Sequence, residues 1–172
     1  IIKELNSPNF DQRPSHLVID FIILHHTKMT DYISALSRLC DPNSKVSAHY
    51  LINKQGEVFS LVKEEFRAWH AGISYWKGRE KINDVSIGIE LDNNGEEEFS
   101  EELMDSLIKL CHKLITKYSI APQNILGHSD ISPGRKDDPG RLFNWKVLAQ
   151  NNIGVMPDIL LYNEDEYPII KT

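Results

Sequence analysis

A single α/β domain with a central mixed β-sheet flanked by helices is the fold class this sequence predicts, and three observations predict it. Short apolar runs such as Leu17–Leu24 are interleaved with helical patterns such as Tyr32–Cys40 and Ser100–Tyr118, the arrangement of layered α/β domains. The segment Val85–Leu91 alternates, with Val85, Ile87, Ile89 and Leu91 on one face and Ser86, Gly88 and Glu90 on the other. The length, 172 residues, suits one core that buries roughly 70% of the unfolded surface.

Each element follows from its residues. Residues 1–16 are polar, carry Pro8 and Pro14, and read as an extended arm. Leu17–Leu24 is a buried strand that runs into His25-His26. Asp31 is a suitable N-cap for a helix over Tyr32–Cys40, where Ile33, Leu36 and Cys40 recur at helical spacing and Pro42 ends the run. Ser47–Asn53 and Glu57–Val62 form a hairpin around Gln55-Gly56. Ser100 caps the longest helix, whose first turn carries Glu101 and Glu102 and whose buried stripe is Leu103, Leu107, Leu110, Leu114 and Tyr118. Asn124–Gly127 is a short strand leading into His128. Ser129–Gly140, with Pro133, Gly134, Pro139 and Gly140, is a loop. Asn144–Gln150 is a short helix. The division is an arm over 1–16, the main domain over 17–154 and an acidic tail over 155–172.

Charge and cysteine usage exclude several functions. A net charge of -6 gives no electrostatic support to a nucleic-acid partner or an anionic membrane surface. No apolar run is long enough to span a bilayer. Cys40 and Cys111 are the only two cysteines and no CxxC pair exists, so a thiolate zinc site is not encoded. Both fall in helical apolar patterns and read as free thiols. The chain starts on Ile1, which fits removal of a leader or a trimmed start. A monomer is expected.

The residues that can carry chemistry cluster after strands. His25 and His128 each follow an apolar strand segment, where side chains emerge beside loops. A catalytic zinc takes three N or O ligands and leaves a position for water. The third ligand has to come from an imidazole or a carboxylate, and the loop after His128 offers Asp130, Asp137 and Asp138. Lys136 lies two residues before Asp138, so in an extended stretch both point the same way. It reads equally as a surface cation or as a donor to a developing oxyanion. Glu90, beside the space left by Gly88, reads as part of a solvated face or as a general base lining a cleft.

Five segments together resemble the type-2 N-acetylmuramoyl-L-alanine amidases, a family that includes peptidoglycan recognition proteins. They are Ile23-Leu24-His25-His26-Thr27, Val46-Ser47-Ala48-His49-Tyr50-Leu51-Ile52, Arg67-Ala68-Trp69-His70-Ala71-Gly72, Asn83–Glu90 and the long run Gly127–Gly140. The resemblance implies Zn2+ held by His25, His128 and Asp138, with Glu90 as proton acceptor and Lys136 stabilising the transition state. It places Trp69, His70 and Ala71 on the cleft wall that touches substrate. Lys81 stands where similar cytoplasmic enzymes carry an arginine for the stem peptide, and lysine lacks the bidentate fork. Ala48 stands where some relatives carry an assisting tyrosine. The implied reaction is hydrolysis of the amide between the lactyl group of N-acetylmuramic acid and L-alanine in peptidoglycan or muropeptides. Whether the glycan must end in a 1,6-anhydro sugar stays open. The rival reading is a non-catalytic peptidoglycan-binding module. Ser7-Pro8-Asn9-Phe10 and Arg38–Pro42 resemble the envelope branch of the family, so a periplasmic or envelope location is expected over a cytoplasmic one.

Overall fold

The apolar run before the paired histidines forms the middle of a sheet because both of its faces are covered. The computed structural model describes residues 2–156. In chain order the elements are β1 (Ile2–Glu4), β2 (Phe10–Gln12), β3 (Phe21–His26), α1 (Tyr32–Cys40), β4 (Tyr50–Ile52), β5 (Val58–Ser60), β6 (Phe66–Ala68), β7 (Tyr75–Trp76) and β8 (Arg79–Glu80). A 3-10 turn (Ile82–Val85), β9 (Ser86–Leu91), α2 (Glu101–Tyr118), a 3-10 turn (Pro122–Asn124), β10 (Ile125–Gly127), α3 (His128–Ile131) and α4 (Trp145–Gln150) follow.

The main sheet has six strands in the order β1-β5-β4-β9-β3-β10. Only β4 and β5 pair antiparallel in it; the other neighbours are parallel. The sheet is therefore mixed, as the interleaved patterns predict. Ile22, Leu24, Ile87, Ile89 and Leu91 pack on the face covered by α2, against Leu103, Leu107 and Leu114. Phe21 and Ile23 point to the opposite face with Ile82, Leu126 and Ile131. On that same face α1 lays Ala35 and Leu39 over Leu51, whose register partner is Glu90. Burying a Leu or Ile side chain stabilises by about 1.5–3 kcal/mol, so these stripes hold the layers in place.

The two long helices begin where their caps dictate. Asp31 accepts from Ser34 N at 2.8 Å and Ser100 from Leu103 N at 3.3 Å. The far end of α2 is tied down by Glu64, which accepts from Lys117 Nζ at 2.5 Å, from Tyr118 Oη at 2.5 Å and from Tyr50 Oη. Cys40 and Cys111 are unpaired, as expected.

Three expectations are revised. Residues 2–16 carry two short strands and do not stand apart: β1 pairs with β5 and β2 with β6. Ser7 Oγ donates to Leu39 O at 2.6 Å, and Asn9 Nδ2 donates to Asp41 O at 2.8 Å and Val46 O at 2.9 Å. The segments Ser7–Phe10 and Arg38–Pro42, singled out separately in the sequence, thus pack on each other. Second, the loop predicted from Ser129 opens with a helical turn, α3, because Asp130 Oδ2 accepts from Gly127 N at 2.7 Å and closes it. Third, the strand predicted over Leu17–Leu24 is shifted and runs from Phe21 to His26. From residue 157 on, the predicted tail lies outside the described residues.

Candidate metal centre and cleft

Strand register assembles the site. His25, the last residue but one of β3, lies opposite Glu90 on β9. Gly127 ends β10 paired with Leu24, so His128, the first residue of α3, follows beside His25. A Cβ on Gly127 would lie 2.7 Å from Pro139 Cδ; its absence lets the 138–139 segment close over the strand end, where Ser129 N donates to Asp138 O at 2.9 Å.

The result is a buried group of three donors. His25 Nδ1 lies 3.0 Å from His128 Nδ1 and 3.0 Å from Asp138 Oδ2, and His128 Nδ1 lies 3.1 Å from Asp138 Oδ2. Among the described residues this is the group that can hold a metal ion. Asp130 is spent on its helical turn and Asp137 faces Lys28 Nζ at 3.1 Å on the surface, so of the three carboxylates in the run only Asp138 joins the histidines. Burial drives the His25 imidazole down to about 4, so it is neutral. His128 Nε2 donates to the Ala71 carbonyl at 3.0 Å. A carbonyl only accepts, so His128 Nε2 carries a proton, and Nδ1 is the nitrogen turned to the group.

The group opens into a cleft of about 420 Å³ lined in part by Trp69, Glu90, Lys136 and Asp138. Glu90 is only partly exposed, and its Oε2 is buried without a partner. Burial pushes this carboxyl up to about 8; the Asp138 charge adds to the shift and the Lys136 charge opposes it. Lys136 is exposed at the rim, with its backbone N donating to Ser132 O at 3.1 Å.

The residues placed on the cleft wall by resemblance separate. Trp69 lines the cleft. His70 also reaches it, but both its ring nitrogens are engaged inside the protein, with His25 Nε2 at 3.0 Å and Ser86 Oγ at 3.1 Å. Burial lowers the His70 imidazole well below its ordinary value, so it too is neutral. Ala71 is fully buried and does not line the cleft; its carbonyl receives His128 and Arg135. Lys81 lines a second cleft with Tyr75, Glu80 and Arg135. The space beside Gly88, read from the sequence as room for Glu90, is filled by the His70 ring.

Arg135 was not singled out from the sequence. Its Nη2 donates to Ala71 O at 2.8 Å, Ile73 O at 2.7 Å and Ser132 Oγ at 2.7 Å, fastening the loop that carries Lys136 and Asp138 to the segment after β6. The alternation that pairs Lys136 with Asp138 also turns Arg135 the other way, and that was the available signal.

Residues 14–141 match the family described as N-acetylmuramoyl-L-alanine amidase. The chain is 42% identical over 156 residues to N-acetylmuramoyl-L-alanine amidase AmiD of Escherichia coli (strain K12), covering 81% of this chain and 55% of AmiD. It is 36% identical over 162 residues to 1,6-anhydro-N-acetylmuramyl-L-alanine amidase AmpD of Haemophilus influenzae, covering 84% of this chain and 88% of AmpD. A solved complex of Escherichia coli AmiD with anhydro-N-acetylmuramic acid-L-Ala-D-gamma-Glu-L-Lys superposes with a TM-score of 0.78 at 40% identity, covering 83% of this chain and 60% of that one. The chain thus spans little more than half the length of AmiD. Among the described residues no helix is long and apolar enough to cross a membrane.

Proposed function

The chain belongs to the N-acetylmuramoyl-L-alanine amidase family, and from that premise we propose that it hydrolyses the amide joining the lactyl group of N-acetylmuramic acid to L-alanine in peptidoglycan or muropeptides. The observation that carries the reading is the buried His25–His128–Asp138 group opening into a cleft that also holds Glu90 and Lys136.

The donor set fits zinc. Two ligands about 2.0–2.1 Å from a tetrahedral zinc stand about 3.3 Å apart, close to the 3.0–3.1 Å between these donor atoms. Two nitrogens and one carboxylate oxygen leave a fourth position free, the pattern of a catalytic rather than a structural site. When bound, zinc supplies Lewis acidity and brings the pKa of water towards about 7.

The chain's own residues do the rest. Glu90, with an unpartnered oxygen, takes the proton from the attacking water and returns it to the alanine nitrogen as the C–N bond breaks. Lys136 offers its ammonium to the oxygen of the carbonyl as negative charge develops there. Trp69 bounds the cleft and limits how the sugar and stem peptide lie. Lys81 serves the stem-peptide end from the second cleft. Anhydro-muropeptides fall within the substrate class, since the AmiD complex holds one. A location in the cell envelope belongs to the same proposal, supported by the Ser7–Phe10 and Arg38–Pro42 segments.

Mass spectrometry of a defined muropeptide after digestion tests the reading. The expected products are the N-acetylmuramic acid with its lactyl carboxylate free and an intact stem peptide beginning with L-alanine. Cleavage between amino acids of the stem, or no cleavage by zinc-loaded protein, overturns it.

A further inference from the structure

Behind the metal-binding group three hydrogen bonds run in line. His25 Nε2 lies 3.0 Å from His70 Nδ1, His70 Nε2 lies 3.1 Å from Ser86 Oγ, and Ser86 Oγ lies 2.7 Å from the Ile82 carbonyl oxygen. Their polarity is determined from the far end. A carbonyl oxygen only accepts, a hydroxyl has one proton, and a neutral imidazole has one N–H and one lone pair. The Ser86 proton must therefore go to Ile82 O. The Ser86 oxygen is then left to accept from His70 Nε2–H, and His70 Nδ1 is left to accept from His25 Nε2–H. His25 keeps a bare Nδ1, turned towards His128 and Asp138.

We propose that His70 and Ser86 are positioning residues whose one-way run of hydrogen bonds holds His25 in the tautomer and ring orientation that present its Nδ1 lone pair to the metal site. The inference rests on the zinc amidase reading for the identity of the ion, and goes beyond the cleft-wall role that resemblance gives His70.

The fold explains why a second imidazole is used here. His128 emerges beyond the end of β10 and meets a backbone carbonyl, that of Ala71, directly. His25 lies on β3 opposite Glu90 of β9, where strand carbonyls lie in the sheet plane, and its Nε2 meets a side chain instead, His70 Nδ1. Gly88 makes the room, because a Cβ there would lie 2.4 Å from the His70 ring. Consecutive residues thus serve the two ligand histidines, His70 through its side chain and Ala71 through its carbonyl. Asn83 Oδ1 holds both, accepting from His70 N at 3.1 Å and Ala71 N at 2.8 Å. Because His70 is a neutral acceptor, the run adds no negative charge to the site beyond that of Asp138.

The test compares His70→Asn, His70→Leu and Ser86→Ala in the full chain. Asn can place an oxygen near the position of Nδ1 and accept from His25; Leu fills similar volume and cannot. Zinc affinity, read by competition with a chromogenic chelator, should fall about 10–100-fold in His70→Leu, the usual cost of losing such a partner. It should fall less in His70→Asn and Ser86→Ala. Cobalt-substituted His70→Leu should show a shifted d–d spectrum. Equal losses for Asn and Leu, or wild-type affinity in Leu, would assign His70 to packing and overturn the proposal. Long-range proton–nitrogen correlation spectra of the wild-type chain give a second readout, and should show His70 protonated on Nε2. A His70 proton on Nδ1 overturns the proposal whatever bond the protein cleaves. Cleavage at another bond, with this tautomer and the variant order as expected, overturns the amidase reading alone.

Discussion

Gly88 and His70 are fitted to each other: a Cβ at Gly88 would lie 2.4 Å from one ring carbon of His70 and 2.6 Å from its Nδ1. A mid-strand glycine normally weakens a sheet. Here its missing side chain lets an imidazole rest on the backbone of β9 and reach His25.

Substituting Gly88 should therefore injure the site without touching a ligand. Gly88→Ala must displace the His70 ring, an overpacking cost of about 1–3 kcal/mol. Urea unfolding should show that loss, and metal analysis should show reduced zinc retention. A variant with unchanged midpoint and full zinc would mean that the ring moves freely.

Glu90→Gln keeps the shape of the side chain and removes its basicity. The variant should hold zinc and fold normally while turnover falls about 10²–10⁴-fold. Steady-state kinetics on a defined muropeptide, with zinc measured in the same sample, decides it. Near-normal turnover would take the proton-transfer role away from Glu90.

Lys136 lies at the exposed rim, so as an ordinary surface cation its loss would cost less than about 1 kcal/mol of stability and little rate. As a donor to the oxyanion its loss costs about 10²–10³ in turnover. Lys136→Ala should lower kcat more than it raises KM, since the interaction forms late. Lys136→Arg should recover part of it. Wild-type kcat in zinc-loaded Lys136→Ala would sink the assignment.

Acid stability should depend on Glu64. Burial pushes its carboxyl up, but hydrogen bonds from Lys117, Tyr118 and Tyr50 outweigh burial and hold it below its ordinary value. The folded pKa is thus lower than the unfolded one of about 4.3. The stability this contributes is fully present above about 4.3 and is lost as pH falls through the folded value. Glu64→Gln should be less stable than wild type at pH 7, with the gap closing in acid. Urea midpoints measured across pH would show parallel curves if Glu64 had no such role.

Much of this was legible in the sequence because local signals and tertiary structure agree. Asp31, Ser100 and Asn144 begin their helices as capping chemistry requires, and the alternation through Ile87 and Ile89 assigns the faces of β9 correctly. Strands β1 and β2 escaped because three residues are too few to carry a periodicity; pairing with β5 and β6 makes them strands. In the site, the local pattern could place His25 and His128 after strand segments and Glu90 on the polar face of a strand, yet left three carboxylates open as ligands. The resemblance named Asp138, and the closure over Gly127 is what brings it to the two histidines. His70 was read as facing substrate because nothing local shows that Gly88, eighteen positions on, has cleared a space for its ring.

Arg13 donates to the carbonyls of Glu64, Asn83, Asp84 and Ser86. Asn83 in turn pins the peptide that orients both ligand histidines. The opening stretch therefore works as a bolt through the back of the catalytic centre. A shortened domain beginning at Leu17 would keep His25, Glu90, His128, Lys136 and Asp138 unchanged in sequence, yet the proposed metal ligands would sit in a frame with the bolt withdrawn.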